Sequence, residues 1–134
     1  MYYITQGVVI LLHRESCTFI KEVSEDCFIG EVSFFSGYPR KASARAKYFS
    51  QVLVLEKSSF LEIAYENGKA LEVFEYINTQ IMKYSNLAII GVQCYVCDEM
   101  GHLSVDCGNF KSIEGNISHL IDSGQKNKFE EVIN

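Results

Sequence analysis

The stretch FIGEVSFFSGYPRKASARA, residues 28 to 46, decides how this chain is interpreted, and we call it the cassette. Gly30-Glu31 is followed by an apolar turn and then by Pro39-Arg40, with the arginine nine residues after the glutamate. A carboxylate can accept a hydrogen bond from a ribose hydroxyl, and a guanidinium can pair with a phosphate through two parallel donors. Small residues such as Gly30 and Ala42 let the backbone approach a ligand closely. The competing interpretation is a surface ion pair between Glu31 and Arg40.

The residues on either side of the cassette have the pattern of strands. MYYIT (residues 1 to 5), VVILL (8 to 12) and CTFIKEV (17 to 23) are rich in β-forming side chains. In SQVLVLE, residues 50 to 56, apolar side chains fall on both faces, which predicts a strand buried on both sides. Asp26 lies in a turn, where it can take the left-handed conformation.

After this strand the pattern changes to that of helices. Ser59 and Glu62 have the spacing of a capping box, and Asn67-Gly68 predicts the end of a first helix. A second helix is expected from about residue 69 to about residue 85. Its apolar positions form one stripe: Ala70, Phe74, Ile77, Ile81 and Tyr84.

Cassette, strands and helices together resemble the cyclic nucleotide-binding domains, which include the bacterial catabolite activator protein, protein kinase A regulatory subunits and cyclic nucleotide-gated channels. The family pattern is Phe-Gly-Glu, an apolar turn and Pro-Arg-Thr/Ala-Ala, and Ile29 stands here in place of the Phe. MYYITQGVVILL also resembles the family's strand pair before the cassette. The resemblance covers about residues 1 to 86. It implies an α+β fold, an antiparallel β-roll (a partial jelly roll) with C-terminal helices.

The resemblance also implies a role for individual residues. Glu31 would bind the ribose hydroxyl and Arg40 the cyclic phosphate of cAMP or cGMP. Lys41 stands where cGMP-preferring channels carry a threonine that contacts guanine, which argues against a strong preference for cGMP. Ile81 and Tyr84 would lie on the lid that covers the base. Backbone or small polar contacts would come from Gly30, Ser33 and Ala42.

By the same resemblance, the family's opening helix and first two strands would precede Met1. The chain then begins at the third strand of an eight-strand roll. We therefore expect residues 1 to 86 to form a partial domain with an open sheet edge and marginal stability.

A second motif is CYVCDEMGHLSVDC, residues 94 to 107. Three thiolates and one imidazole form a full tetrahedral set for structural Zn²⁺ with no open position for catalysis. Gly101 permits the tight turn before the histidine. Spacing, glycine and the aromatic Tyr95 match the CCHC zinc knuckle of retroviral nucleocapsid proteins and related RNA-binding proteins. The alternative is a group of unrelated cytosolic thiols near a surface histidine. The predicted metal ligands are Cys94, Cys97, His102 and Cys107.

Nucleic acid is not the expected partner of this knuckle. Its loop carries Asp98, Glu99 and Asp106 without any Lys or Arg, and the whole chain has a formal charge of −5. Acidic side chains repel phosphate, whereas nucleic-acid affinity depends on clustered cations. A structural or protein-contact role is therefore favoured over RNA binding.

Several classes of protein are excluded by composition. An odd count of five cysteines does not suit a disulfide framework, and no apolar run approaches the roughly 20 residues that a bilayer requires. We expect a cytoplasmic location, which includes the cytosolic face of a membrane.

An enzyme is not expected, because no nucleophile–base pair or open metal site is visible. His13 and His119 are isolated in the sequence and are expected at the surface.

The sequence predicts a partial cyclic nucleotide-binding domain at residues 1 to 86, a zinc knuckle appended at 94 to 107 and a polar tail at 108 to 134. The predicted function is cyclic nucleotide sensing that biases the C-terminal helix. Strand pair, cassette and paired helices most resemble the channel branch, so the host would be a cyclic nucleotide-gated or voltage-gated cation (potassium) channel. The membrane-embedded channel portion and other subunits of a homo-oligomer would then be partners. The alternatives are a soluble cyclic nucleotide sensor or kinase regulatory subunit, and an RNA-associated zinc-knuckle protein.

Overall fold

Six strands and three helices make up residues 1 to 110, the part of the chain that the computed structural model describes. The strands are β1 (Tyr2–Gln6), β2 (Val9–His13), β3 (Phe19–Val23), β4 (Phe28–Ile29), β5 (Ala42–Ala46) and β6 (Gln51–Val54). The helices are α1 (Glu31–Ser36), α2 (Lys57–Glu66) and α3 (Gly68–Tyr84), followed by 3-10 turns at Leu87–Ile90 and Ser104–Asp106. His119 and all but the first residues of the predicted tail lie outside the described residues. None of the described helices is both long and apolar enough to cross a membrane.

The strands form two antiparallel sheets, in the orders β4-β1-β6 and β3-β2-β5. Although β1 and β2 follow each other in the chain, they lie in different sheets and are joined through Gly7, which has a φ of +92°. Asp26 has a φ of 62°, so its predicted left-handed conformation is confirmed. Two antiparallel sheets followed by helices confirm the predicted α+β roll.

The core of the roll lies between the inner faces of the two sheets. Ile4 and Ile29 come from one sheet, Val9 and Val23 come from the other, and all four are buried in one cluster. The side chain of Ile4 is 0% exposed. Burial of such side chains is the main favourable term in the folding of the roll.

The prediction that residues 50 to 56 form a strand buried on both faces is wrong. Leu53 is 63% exposed and Val54 is 60% exposed, although they point to opposite faces of β6. Within residues 1 to 110, β6 pairs with β1 and lies at the edge of its sheet. An edge strand can carry apolar side chains on both faces without being covered.

The predicted capping box at Ser59 does not form. Helix α2 begins at Lys57 with Glu56 at the N-cap, and no side chain caps it. Because the helix starts three residues earlier than expected, Ser59 lies inside its first turn and cannot act as the cap. Asn67 ends α2 as predicted and also begins α3, where its side chain accepts a hydrogen bond from the amide of Ala70 at 3.3 Å.

Helix α3 packs against α1 through a cluster of phenylalanine rings. The ring centroid of Phe74 lies 6.1 Å from that of Phe34 and 5.5 Å from those of Phe35 and Phe60. The side-chain amide of Asn78 donates a hydrogen bond of 2.7 Å to the carbonyl oxygen of Phe35. These contacts fix α1, the helix that begins directly after Gly30, against α3.

Candidate functional site

All six predicted cassette ligand residues line one cavity of about 340 Å³. This volume lies within the range of small-molecule pockets in proteins. The cavity wall brings together residues that are as far apart in the chain as Gly30 and Ala42. The six residues are Gly30, Glu31, Ser33, Arg40, Lys41 and Ala42.

Gly30 positions both charged residues of the cassette. Strand β4 ends at the buried Ile29, and the left-handed φ of +83° at Gly30 turns the chain directly into α1 at Glu31. A Cβ atom at residue 30 would lie 3.2 Å from Nη1 of Arg40. The guanidinium therefore occupies the space that a side chain at this position would fill. Its Cζ atom also lies 4.9 Å from the ring centroid of Tyr2.

Glu31 and Arg40 are not paired with each other. Between residues 1 and 110, ion pairs join Lys41 to Asp106 and Lys47 to Glu22, and neither pair includes Glu31 or Arg40. Glu31 and Arg40 therefore do not form the simple surface ion pair of the competing interpretation. Both charges instead lie on the wall of the same cavity.

Lys41 lines the cavity, but its ammonium group contacts the knuckle. The Nζ atom lies 2.6 Å from Oδ1 of Asp106, and both side chains are about half exposed. Arg14, which directly follows β2, contacts the same part of the cassette, since its amide donates a hydrogen bond of 3.1 Å to the carbonyl oxygen of Lys41. Sequence reasoning placed Lys41 near the base and did not anticipate an acidic partner for it.

Ile81 and Tyr84, the predicted lid residues, do not line this cavity. Ile81 is 2% exposed and belongs to the buried face of α3 that includes Phe74, whereas Tyr84 is 59% exposed at the end of the helix. Packing of α3 on α1 turns the apolar stripe toward the helix interface. Ile81 therefore packs at the helix interface and Tyr84 lies exposed at the end of α3, and the lid role of both residues stays a prediction.

The residues that sequence reasoning missed come from the segment around the zinc motif. Tyr95, Leu103 and Val105 line the same cavity as the cassette. The pKa of the Tyr95 phenol is raised by burial and, to a smaller extent, by the charges of Glu31 and Cys27. No local sequence pattern could have predicted that these three residues line the cavity. A motif predicts its own local structure and not the surface against which that structure packs.

The four predicted metal ligands come together, with all their ligand atoms within 4.8 Å of one another. Sγ of Cys97 lies 3.4 Å from Nε2 of His102. Tetrahedral zinc with ordinary Zn–S and Zn–N bonds requires ligand atoms about 3.5 Å apart, so the arrangement fits this ion. The backbone helps to close the site, since Gly101 has a φ of +94° and its amide donates to the carbonyl oxygen of Val92 at 2.9 Å.

The thiols of this cluster differ in their acidity. Burial raises the pKa of Cys94, but hydrogen bonds from the amides of Val96 and Cys97 and from the thiols of Cys97 and Cys107 together outweigh it and lower the pKa to about 6. For Cys97, a hydrogen bond from the Glu99 amide lowers the pKa, whereas burial and the thiols of Cys94 and Cys107 raise it to about 11. Without a cation, the first thiolate therefore opposes the formation of a second. A bound dication removes this repulsion, which is the expected behaviour of a metal site.

Comparisons with known proteins agree with both motifs. The family model described as cyclic nucleotide-binding domain matches residues 1 to 67, half of the chain, and the model described as zinc knuckle matches residues 92 to 109. Among solved structures, one described as "cAMP bound PfPKA-R (141-441)" is similar at 21% identity and a TM-score of 0.40. The match covers 57% of this chain and spans only 29% of that one. No curated protein matches the chain.

The cyclic nucleotide-binding model covers all six strands, the cassette and the whole of α2, and the zinc-knuckle model covers the assembled ligand cluster. The chain therefore belongs to the cyclic nucleotide-binding domain family and carries a zinc knuckle after that domain.

Proposed function

We propose that this chain is a cyclic nucleotide-sensing regulatory module that binds cAMP or cGMP in the cavity of the cassette. The observation that supports this most directly is the shared cavity wall, where Glu31 and Arg40 lie together without forming an ion pair. A carboxylate and a guanidinium at one small cavity suit a ligand with one hydroxyl donor and one anionic group. The proposed role is regulatory rather than catalytic.

Each cassette residue has a proposed contact with the ligand. Arg40 pairs with the cyclic phosphate through two parallel donors, and Glu31 accepts a hydrogen bond from the ribose 2′-hydroxyl. Gly30 and Ala42 leave room for close approach of the ligand to the backbone, and Ser33 offers a small polar contact.

The signal is proposed to leave the cavity through α1. Glu31 begins α1, and Phe34 and Phe35 of the same helix pack on Phe74 of α3. A ligand that draws Glu31 toward its ribose shifts α1 against α3, because the two helices share one packed interface. Only a difference in ligand contacts between the two helix arrangements can bias their populations.

The proposed host is a cyclic nucleotide-gated or voltage-gated cation channel, of which this chain would be a cytosolic part. The cyclic nucleotide-binding domain is proposed to run to about residue 86. This proposal rests on the resemblance of the strand pair, cassette and helices to the channel branch. Fractionation of cells that express the full-length natural protein tests it. Recovery with membranes supports the channel host, whereas recovery only in the soluble fraction favours a soluble sensor and leaves the proposed ligand unaffected.

Titration calorimetry of the zinc-loaded chain tests ligand binding. cAMP, cGMP and 5′-AMP are compared, because 5′-AMP keeps the base and ribose but carries a different phosphate. We expect saturable binding of at least one cyclic nucleotide and weaker binding of 5′-AMP. If neither cyclic nucleotide binds, or if 5′-AMP binds equally well, the proposed function is wrong.

A further inference from the structure

One wall of the nucleotide cavity is built by the zinc knuckle (residues 92 to 109). Tyr95, Leu103 and Val105 line the cavity together with Arg40 and Lys41 of the cassette. The knuckle follows the binding domain in the chain and also contributes to the wall of its cavity. Any ligand that fills the cavity contacts both parts of the chain.

Three contacts hold the knuckle and the residue after it against the roll. The ion pair between Lys41 and Asp106 measures 2.6 Å, and Nζ of Lys21 lies 4.1 Å from the ring centroid of Tyr95. The ring of Phe110 packs edge-on against His13, with centroids 5.5 Å apart. His13 is thus not the isolated surface residue that the sequence predicts. These contacts come from the cassette, β3 and β2, so they fix the knuckle on several sides.

The residues of this wall adjoin the metal ligands in the chain. Tyr95 follows Cys94, and Leu103 follows His102. The buried hydroxyl of Ser104 accepts a hydrogen bond of 2.8 Å from the amide of Tyr95, which ties the two halves of the wall together. In a knuckle of this size the bound metal supplies most of the folding free energy. The shape of the wall therefore depends on the metal.

We propose that the zinc knuckle is the lid of the nucleotide cavity, with Tyr95 facing the ligand and the Lys41–Asp106 ion pair holding the lid in place. Zinc in the knuckle and a cyclic nucleotide in the cassette then strengthen each other's binding. This inference rests on the proposed function and deepens it, because it makes metal occupancy a regulator of the same site.

The direction of the effect follows from conformational entropy. Without zinc, the ligand must order the lid when it binds, and this lowers its apparent affinity. With zinc bound, the wall is already formed. Thermodynamic linkage requires that the nucleotide raise zinc affinity by the same factor as zinc raises nucleotide affinity.

The test is a two-way measurement on the full chain. The dissociation constant of cAMP and cGMP is measured by calorimetry on zinc-loaded protein and on protein stripped with a chelator, and circular dichroism checks that the roll remains folded. Zinc affinity is measured by competition with a chromophoric chelator, with and without saturating nucleotide. We expect an increase of about 5- to 150-fold in both directions, the usual range of coupling between sites.

A pair of matched variants locates the coupling. Asp106→Asn removes the ion pair with Lys41 while keeping the size of the side chain, and Asp98→Asn makes the same change at an exposed acid that does not line the cavity. Cobalt absorbance confirms that both variants still bind metal. We expect the coupling factor to fall in Asp106→Asn and to stay unchanged in Asp98→Asn.

The outcomes separate the lid from the function on which it rests. If the nucleotide binds equally well with and without zinc, or if both variants retain the full coupling, the lid proposal is wrong and nucleotide binding stands. If neither form of the protein binds a cyclic nucleotide, both the lid and the proposed function are wrong.

Discussion

Arg40 and Gly30 depend on each other within the cassette. The guanidinium of Arg40 lies 3.2 Å from the place where a Cβ of residue 30 would be, and Gly30 itself has a φ of +83°. An L-residue is strained at this φ and would also displace the arginine. The glycine thus serves both the backbone turn and the position of the charge.

Arg40→Ala tests the charge itself. We expect it to weaken binding of cAMP or cGMP by about 2–5 kcal/mol, since the phosphate loses its charged, bidentate partner. Arg45→Ala is the matched control, because Arg45 lies on β5 beside Ala44 but outside the cavity lining. Calorimetry on the three proteins measures the effect. Equal affinities for Arg40→Ala and the unchanged protein would contradict the proposed role.

Gly30→Ala tests the position of that charge. We expect a loss of about 1–2 kcal/mol of stability from the left-handed backbone, together with weaker nucleotide binding as Arg40 is displaced. Gly68→Ala is the control, because no atom lies within 4 Å of a Cβ there and its φ is not positive. Thermal melting and calorimetry provide the two readouts. A Gly30→Ala protein with unchanged stability and affinity would refute this account of the turn.

The residues of the cassette were predictable because their relationship is local. A glycine, a glutamate and an arginine at a fixed interval meet across one short helix, and all six predicted residues lie at the cavity. The contribution of the knuckle to the cavity wall was not predictable in the same way. Ile81 and Tyr84 were assigned by resemblance, whereas the residues at the cavity include Tyr95 from a different motif. Which surface covers the cavity depends on tertiary docking, and the sequence pattern does not contain that information.

Among the strands and helices, β6 is an element whose burial could not be predicted from its sequence pattern. Apolar side chains on both faces are typical of a buried central strand, but an edge strand with no covering layer has the same pattern. Here β6 pairs with β1 and leaves Leu53 at 63% exposure. Exposed apolar edges of this kind promote pairing with another chain.

Leu53→Lys tests whether this edge is exposed in solution. We expect lower self-association and a nearly unchanged melting temperature, because a charged edge resists pairing and little buried area is lost. Ile4→Lys is the contrast in the neighbouring strand of the same sheet, where the side chain is 0% exposed and a charge should abolish folding. Light scattering and thermal melts measure both. Strong destabilisation by Leu53→Lys would mean that another surface covers β6.

At the scale of the whole molecule, residues of the cassette and of the zinc knuckle line one cavity. Asp106, one of the three acids in the knuckle loop, pairs with Lys41 of the cassette. Tyr95 lies at the cavity beneath Lys21. Asp106 and Tyr95 of the knuckle therefore contact the roll, whereas Asp98 and Glu99 stay exposed.

Zinc content is the first prediction at this scale. We expect one zinc ion per chain, lost in Cys97→Ser and in His102→Ala, because each removes one of four ligands. Affinity should fall as the pH falls, since protons compete with zinc for thiolates and the pKa of Cys94 is about 6 while that of Cys97 is about 11 in the metal-free cluster. Elemental analysis and chelator competition between pH 8 and pH 5.5 measure this. An affinity independent of pH would contradict thiolate ligation.

RNA binding is the second prediction at this scale, and we expect it to be weak. Asp98 and Glu99 remain exposed on the knuckle, the chain carries a net charge of −5, and Nζ of Lys21 lies 4.1 Å from the ring centroid of Tyr95. The acidic side chains repel phosphate, and Lys21 already covers one face of the aromatic ring on which a base would stack.

Fluorescence anisotropy with a labelled single-stranded RNA, at low and at moderate salt, measures this binding on the zinc-loaded chain. If acidic charge is the reason for weak RNA binding, the double variant Asp98→Lys, Glu99→Lys should bind RNA more tightly at low salt. This gain should disappear as salt rises, because counterion release drives such binding. Variants at Glu72 and Glu75, exposed acids on α3, serve as the matched control and should gain less. Micromolar binding by the unchanged protein at moderate salt, weakening steeply with added salt, would instead favour an RNA-associated knuckle.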